Sequence, residues 1–246
     1  MQSARSIKQI TSPASWAELP WGEYYRVALE RQLEPWWPKI FGLHLAKLGN
    51  LSAEIDSRTC PISHQFNIGL MEGSMDVIAD PYCLPFEAKS VDACLLSHML
   101  TYSADPHWLL REVDRIITDD GWLIISGFNP ISLLGLRKVL LPIHRRQAYE
   151  AQMFSMLRQV DWLSLLNYEI VHHASFYVLP WQSGKSFCNR STSIFGCMNV
   201  IIARKRTIPL TLNPMWATSL KPKFRNVLGA AKDLHRRLFT DANNFY

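Results

Sequence analysis

The chain has 246 residues, of which 48% are hydrophobic and 11% aromatic, so one domain with a sizeable core and some appendages is expected. It contains no apolar run long enough to cross a bilayer and no apolar signal-peptide region near its polar start, which favours a soluble cytoplasmic protein. Its five cysteines are scattered and form no CxxC pair, which argues against a disulfide framework and a structural zinc site.

The net charge of +5 is concentrated at the C-terminal end. From residue 204 onwards nine basic residues accompany two acidic ones, whereas the first 203 residues carry 17 basic and 19 acidic ones. This balance defines a basic tail, residues 207–246, and gives little reason to expect nucleic acid on the main domain. Within the tail, apolar residues recur at helical spacing over 224–238, which predicts a basic amphipathic helix.

Residues 1–40 predict a helical N-terminal extension. Tryptophans and prolines flank a helical pattern over 23–33, in which Tyr25, Leu29 and Leu33 share one face. The flanking prolines end this helix. We therefore expect a helix that packs on the main domain.

Residues 41–206 alternate β-prone apolar runs with helical patterns, which is typical of an α/β fold with a parallel sheet. The predicted strands span 41–48, 64–70, 75–80, 91–97, 121–128, 168–178 and 197–205. A loop rich in Gly, Ser and Asn separates the last two strands, which predicts an antiparallel C-terminal hairpin.

The clearest predicted helix covers 105–117, with Asp105 as its N-cap and Pro106 in its first turn. Its apolar stripe consists of Trp108, Leu109, Val113, Ile116 and Ile117. The opposite face, which points toward water, contains Arg111, Glu112 and Asp114. After the fifth strand, residues 131–166 predict one or two amphipathic helices.

The stretch 76–130 resembles the second half of class I methyltransferases that use S-adenosylmethionine (SAM), of the UbiE-like (type 11) group. The match follows the order and spacing of the LPF element at 84–86, the start of the fourth strand at 91–93 and the LREV helix at 110–113. The whole chain is most similar to the uncharacterised YafS-like branch of that group. This resemblance implies a Rossmann-like class I methyltransferase sheet, SAM as the cofactor and methyl transfer as the activity.

The resemblance also implies cofactor contacts at the ends of strands, where ligands bind in open parallel sheets. Asp80 stands where the family accepts the adenine amino group, and Leu84 and Pro85 begin an apolar wall beside the adenine. Ser97 and His98 stand where family members approach the methionine moiety and the sulfonium. His98 is the candidate catalytic base. Alternatively, Asp80 is an ordinary turn residue and His98 a half-buried histidine at a strand end.

The turn after the first strand departs from the family pattern. In the segment HLAKLGNLSAE, Lys47 replaces an acid, Gly49 survives, and Asn50 and Ser52 stand where further glycines are expected. Gly49 and Asn50 remain candidate cofactor contacts because Asn tolerates left-handed backbone geometry, although Gly49 also suits a plain turn. Lys47 would repel the ammonium group of the ligand.

Two further departures concern connections. Only MEGS separates the second and third predicted strands, whereas a helical crossover needs about ten or more residues. Either this helix is missing, so that the first half of the domain is reduced, or the strand assignment is wrong. Glu72 is the nearest acid that could hold the ribose. Residues 119–121 replace a PGG turn of the family, and Gly121 is expected at positive φ.

The leading hypothesis is a SAM-dependent methyltransferase with an unknown acceptor. The rival is a catalytically degenerate protein of the same fold that acts as a binding or regulatory module, and a third reading is a membrane- or RNA-associated adaptor that uses the basic tail. A small-molecule or lipid-like acceptor is favoured over nucleic acid, and 131–166 resembles family inserts that cover the active site. No metal site is predicted, because the adjacent His172 and His173 point to opposite faces of a strand.

Overall fold

A computed structural model describes residues 12–70, 75–130, 132, 152–177 and 196–207. The chain divides into two compact units, Met1–Thr207 and Ile208–Tyr246. The second unit corresponds to the predicted basic tail and lies outside the described residues, as does the predicted helix at 224–238. No helix in the described ranges is long and apolar enough to span a membrane.

The first unit is built on a seven-stranded mixed sheet with the strand order β3-β2-β1-β4-β5-β7-β6. The strands are β1 (His44–Leu48), β2 (His64–Gly69), β3 (Val77–Ile78), β4 (Val91–Ser97), β5 (Ile117–Phe128), β6 (Tyr168–Phe176) and β7 (Met198–Lys205). The first five strands run parallel, and β7 is antiparallel to both β5 and β6. This arrangement confirms the predicted α/β class and the antiparallel C-terminal hairpin.

In the part of the chain that the structure describes, five helices accompany the sheet. They are α1 (Gly22–Leu33), α2 (Asn50–Ala53), α3 (Met99–Tyr102), α4 (Pro106–Ile116) and α5 (Met156–Leu165), with single 3-10 turns at Trp16–Glu18 and Trp37–Lys39. The predicted cap of α4 is confirmed, because one oxygen of Asp105 accepts the backbone N–H groups of His107 and Trp108 at 3.1 Å each. Helix α5 confirms one helix of the predicted insert, whose residues 133–151 lie outside the described residues.

Two apolar layers cover the two faces of the sheet. One layer contains the buried side of α1 together with residues of β1, β4, β5 and β7. The other contains α4, α5 and the residues of the same strands that point to the opposite face. Trp108 was predicted to face the core, but it is 58% exposed and stacks on Tyr82, because Leu109, Leu110 and Val113 fill the buried side of α4.

The connection from β2 to β3 shows that the first of the two alternatives holds: both strands form, and the crossover helix between them is missing. The two strands are parallel although too few residues join them for a helix, and Ile68 near the end of β2 pairs with Val77 at the start of β3. Because β3 has only two residues and begins beside the end of β2, the chain does not need to return along the whole strand. The predicted strand at 75–80 is therefore shortened, while the seven-stranded sheet is complete.

The face of β2 that lacks a crossover helix is polar. Gln65 donates hydrogen bonds to the carbonyl oxygens of Ser57 and Ile62, at 3.2 and 3.0 Å, and its own amide oxygen accepts one from the Ser57 hydroxyl. The loop after α2 therefore covers part of this face through hydrogen bonds to the sheet.

The irregular first part of β5, where its pairing with β4 shifts register, differs from expectation in one residue. Asp120 adopts the positive φ of 65°, whereas Gly121 was expected to do so. Gly121 is required instead for space, since a Cβ there would lie 2.6 Å from Cγ2 of Ile117 and 3.0 Å from the carbonyl oxygen of Asp92. Asp is among the residues that tolerate left-handed geometry, so the turn forms without a second glycine.

Candidate functional site

The carboxyl ends of four parallel strands meet along one side of the sheet, which we call the carboxyl edge. Leu48 at the end of β1 pairs with Ile68 of β2 and with Leu96 of β4, and β2 pairs with β3 on its other side. With neighbouring strands about 4.8 Å apart, the ends of β3 and β4 are separated by roughly 14 Å. Three predicted cofactor contacts follow these strands at that edge: Gly49, Asp80 and Ser97.

The turn after β1 is tightly built around Gly49. Its φ is 84°, its N–H donates to the carbonyl oxygen of Ile68 at 2.8 Å, and a Cβ at this position would lie 2.9 Å from Sδ of Met99. Only glycine suits this combination of positive φ and close approach. The next residue, Asn50, donates through Nδ2 to the carbonyl oxygen of Pro13 at 3.3 Å, so the N-terminal segment touches this turn.

Lys47 lies near the end of β1, at the position where the family has an acid. Its ammonium is buried and donates to the carbonyl oxygen of Ile55 at 2.8 Å. Burial lowers the pKa of this lysine, while the nearby Asp56 acts in the opposite direction. The Ile55 carbonyl dipole compensates part of the charge of Lys47. Repulsion between Lys47 and the ammonium group of a ligand stays a prediction.

Asp80 lies exposed at the end of β3 with part of its carboxylate free. Its Oδ1 accepts the backbone N–H of Tyr82 at 2.9 Å, and within the described residues its Oδ2 has no hydrogen-bond partner. Of the apolar wall that the resemblance implies, Pro85 is exposed, whereas Leu84 is buried in the layer that contains α4. Glu72, the candidate ribose ligand, lies outside the described residues.

A two-residue network on α4 holds the loop after β3, and the sequence reasoning missed it. Glu112 was assigned to the face toward water, but its Oε1 accepts the N–H of Leu84 at 2.8 Å. Arg115 donates to the carbonyl oxygens of Leu84 and Phe86 and pairs with Glu112 at 2.7 Å. The signal for it was the resemblance of 110–113 to the LREV helix, whose glutamate now has a structural role.

Replacing Glu112 with glutamine should lower the free energy of unfolding by about 1 kcal/mol at pH 7, because the charged hydrogen bond to Arg115 is lost. The hydrogen bond from Arg115 lowers the pKa of Glu112, so its stabilisation is complete above the unfolded pKa near 4.5 and is lost as pH falls through the lower folded value. Urea unfolding at pH 7 and pH 3 measures both effects. Glu87→Gln, in the exposed part of the same loop, is the control, and an E112Q stability difference that is the same at both pH values would contradict the assignment.

Three serines form a buried chain at the end of β4. The N–H of Ser97 donates to the hydroxyl of Ser52 at 2.7 Å, and the hydroxyls of Ser97 and Ser126 lie 3.1 Å apart. All three side chains are almost completely buried. Ser97 therefore links the turn after β1 to β5, and its predicted contact with a ligand stays a prediction.

His98, the candidate base, is completely buried directly after Ser97. Its φ is 55°, and its ring packs against Phe128 at 4.2 Å and against Trp16 at 5.2 Å between centroids. Neither ring nitrogen has a hydrogen-bond partner in the part of the chain that the structure describes. Burial lowers the pKa of His98 to about 3. An imidazole in this state is neutral at pH 7 and is a weaker base than an exposed histidine.

The sequence reasoning also missed Trp16, which covers the junction of β1 and β4. Its exposure is 0%, and its Nε1 donates to the carbonyl oxygen of Leu51 in the turn after β1 at 2.8 Å. The aromatic cluster of the N-terminal extension predicted packing but not this position. Within the described ranges, no group of three or more histidine, cysteine or acidic side chains is placed to hold a metal ion.

Comparison with known proteins identifies the family. A model of a methyltransferase domain matches residues 61–125. The uncharacterised protein YafS of Escherichia coli (strain K12) is 51% identical over 237 residues, which cover 96% of this chain and 99% of YafS. The chain belongs to the YafS family. The matched segment of this YafS-family member runs from the loop before β2 into β5 and therefore contains the ends of β2, β3 and β4.

Solved structures show that this YafS-family chain has the class I methyltransferase fold. A SAM-dependent methyltransferase from Thermotoga maritima aligns with a TM-score of 0.52 at 19% identity over 75% of this chain and 95% of its own. A putative SAM-dependent methyltransferase from Listeria monocytogenes aligns with a TM-score of 0.54 at 12% identity over 75% of this chain and 100% of its own. The [4+2]-cyclase SpnF aligns with a TM-score of 0.53 at 12% identity over 83% of this chain and 89% of its own. At these identities the likeness concerns the fold alone.

Proposed function

We propose that the protein is a SAM-dependent methyltransferase. The observation that carries the proposal is the convergence of the Gly49 turn, the half-free carboxylate of Asp80 and the end of β4 on one edge of the sheet. This is where ligands bind in open α/β sheets. The match of residues 61–125 to a methyltransferase domain supports the same activity.

The residues at the carboxyl edge suit SAM at its adenosine end. Oδ2 of Asp80 would accept the adenine amino group, and the Gly49 turn would let the backbone approach the ligand closely. When bound, SAM supplies a methyl group activated by its sulfonium.

The chain's own contribution to methyl transfer would be positioning and a dry environment. Ser97 and His98 would line the sulfonium end. Neither ring nitrogen of His98 has a hydrogen-bond partner among the residues that the structure describes, so the unprotonated nitrogen would be available to take a proton from the acceptor, as a weak base while it stays buried. The aromatic pair of Phe128 and Tyr25, 5.4 Å apart, lies beyond His98 and favours an apolar acceptor, either a small molecule or a lipid-like one.

A second candidate function is a binding or regulatory module that has lost methyl transfer. The specific observation in its favour is Lys47, which occupies the position of the family acid. The cyclase SpnF shares the fold, so the fold alone does not determine the chemistry. The basic tail remains a candidate contact with an anionic membrane or with RNA, as predicted from its charge.

Isothermal titration of the full chain with SAM and S-adenosylhomocysteine tests the proposed function. We expect a Kd in the micromolar range, and at least tenfold weaker binding by Asp80→Ala, because one hydrogen bond worth about 1.4 kcal/mol corresponds to a factor of ten. Absence of binding at millimolar ligand would favour the second candidate.

The matched control for Asp80→Ala is Asp119→Ala, which removes an exposed carboxylate that pairs with Lys89 near the starts of β4 and β5, at the opposite edge of the sheet. Its affinity for SAM should equal that of the wild type. Thermal unfolding of both variants separates loss of the cofactor contact from loss of the hydrogen bond to the Tyr82 N–H. Equal affinity of Asp80→Ala and wild type would remove Asp80 from the site.

A further inference from the structure

Trp16 bridges the two strand ends between which the cofactor crevice should open. Its indole N–H donates to Leu51 in the turn after β1, and its ring meets the edge of His98 at the end of β4, with an interplanar angle of 84°. The indole is completely buried. A side chain of the N-terminal segment therefore occupies the junction of β1 and β4.

The same contact leaves His98 in an unfavourable state. Its backbone is left-handed, a geometry uncommon for residues other than glycine, and both ring nitrogens are buried without a hydrogen-bond partner among the described residues. Buried polar side-chain atoms nearly always have a hydrogen-bond partner, so an orphaned imidazole points to a partner that this arrangement excludes. Trp16 and Phe128 are the aromatic residues that enclose it.

The segment around Trp16 is attached to the carboxyl edge by few polar contacts. The backbone N–H of Trp16 donates to Glu54 at 3.3 Å, and Asn50 donates to Pro13 at the same distance. These hydrogen bonds are at the long end of the normal range, whereas the indole N–H to Leu51 is short at 2.8 Å. The Trp16 indole is therefore the main anchor of the segment here, and Asn50 is itself a predicted cofactor contact.

We propose that Trp16 is an internal plug of the cofactor crevice, and that SAM enters its sulfonium end by displacing the indole. This inference rests on the proposed function, because it assumes SAM as the ligand. In the plugged state, His98 is fully buried and its ring nitrogens have no hydrogen-bond partner within the described ranges. In the unplugged state, the turn after β1 and His98 face the ligand. The N-terminal segment thus regulates access to the same site.

Titration of full-length variants with S-adenosylhomocysteine tests the plug. If only a minor, unplugged fraction of the wild type binds ligand, the apparent Kd of the wild type equals the intrinsic Kd of the unplugged state divided by that fraction. We therefore expect Trp16→Ala to bind at least tenfold more tightly than the wild type. Trp108→Ala removes an exposed tryptophan on α4 and should bind like the wild type.

Hydrogen exchange of the wild type provides a measurement that does not depend on the folding of a variant. The Leu19 N–H donates to the Trp16 carbonyl oxygen at 3.1 Å, and the Ala17 N–H to the Ser15 hydroxyl at 3.2 Å. Addition of S-adenosylhomocysteine should accelerate the exchange of residues 15–19 at least tenfold. Slower or unchanged exchange at saturating ligand would overturn the plug.

The outcomes separate the plug from the proposed function. Ligand binding by Trp16→Ala that is tighter than the wild type, or that appears only in the variant, supports both. Binding of equal or lower strength by a folded Trp16→Ala leaves the methyltransferase proposal standing and overturns the plug, because Trp16 would then be neutral or part of the binding surface. Binding by neither protein at millimolar ligand refutes the proposed function, and the plug with it.

Discussion

As the pH falls below 6.5, protonation of His98 in the unfolded chain should lower the free energy of unfolding, starting at a higher pH than protonation of the carboxylates. Burial lowers the pKa of His98 to about 3, whereas an imidazole in the unfolded chain has its ordinary pKa of 6.5. Between these values the unfolded state binds one more proton than the folded state. The free energy of unfolding should therefore fall as pH decreases from 6.5 towards 3, by up to about 1.4 kcal/mol per pH unit. Above the unfolded pKa this contribution is constant.

Urea unfolding at pH 7, 6, 5 and 4 measures this slope. His98→Phe keeps a ring of similar size between Trp16 and Phe128, removes both unpartnered nitrogens and should flatten the slope between pH 6 and pH 4. His173→Gln is the control, because it removes an exposed histidine and retains His98. A slope that is unchanged in His98→Phe would show that this imidazole is not the group that couples folding to pH.

Replacing Gly22 with alanine should detach the Trp16 segment from the rest of the unit. A Cβ at Gly22 would lie 1.7 Å from the carbonyl oxygen of Trp16 and 2.7 Å from its carbonyl carbon. Both are backbone atoms, so the 3-10 turn at Trp16–Glu18 must move as a whole. The loss of Trp16 burial should lower the free energy of unfolding by about 3 kcal/mol. Urea unfolding measures the stability, and faster hydrogen exchange of residues 15–19 in the folded variant measures the detachment of the segment.

Gly127→Ala is the matched control for Gly22→Ala. At Gly127 the nearest atoms to an added Cβ are Oγ1 of Thr101 at 3.5 Å and Nε2 of Gln159 at 3.7 Å, which are ordinary van der Waals contacts. Its effect on stability should be below about 1 kcal/mol. If the two variants lose equal stability, the close approach at Gly22 does not determine the position of Trp16.

The elements of this protein follow from short-range patterns, which is why the sequence predicted them. The apolar runs at 64–70 and 91–97 are strands within one residue of the prediction, and Asp105 and Pro106 mark the start of α4 as expected. Alternation and helical spacing depend only on which face of an element is buried. The resemblance to class I methyltransferases supplied the type of sheet, which no local pattern contains, whereas the strand order came from the structure.

The errors lie where a distant part of the chain decides the outcome. Trp108 shares the apolar character of its neighbours on α4 but is exposed, because the space on the sheet is already filled. The helical pattern assigned Glu112 to the face toward water, but the loop after β3 brings the N–H of Leu84 within hydrogen-bond distance of its carboxylate. The short β3 likewise follows from its pairing with the end of β2.

The sequence alone determined the fold class, the strands, the capped helix and the residues that follow the strands, since these depend on the chemistry of neighbouring residues. Only the tertiary structure decided the state of those residues at the carboxyl edge. It gave Lys47 a carbonyl partner, left one oxygen of Asp80 without a hydrogen bond among the described residues and packed the buried His98 against Trp16. The contact between His98 and Trp16 joins residues far apart in the sequence, and the partners of Lys47 and Asp80 depend on how the loops that follow them fold against the sheet, so no spacing along the chain could encode them.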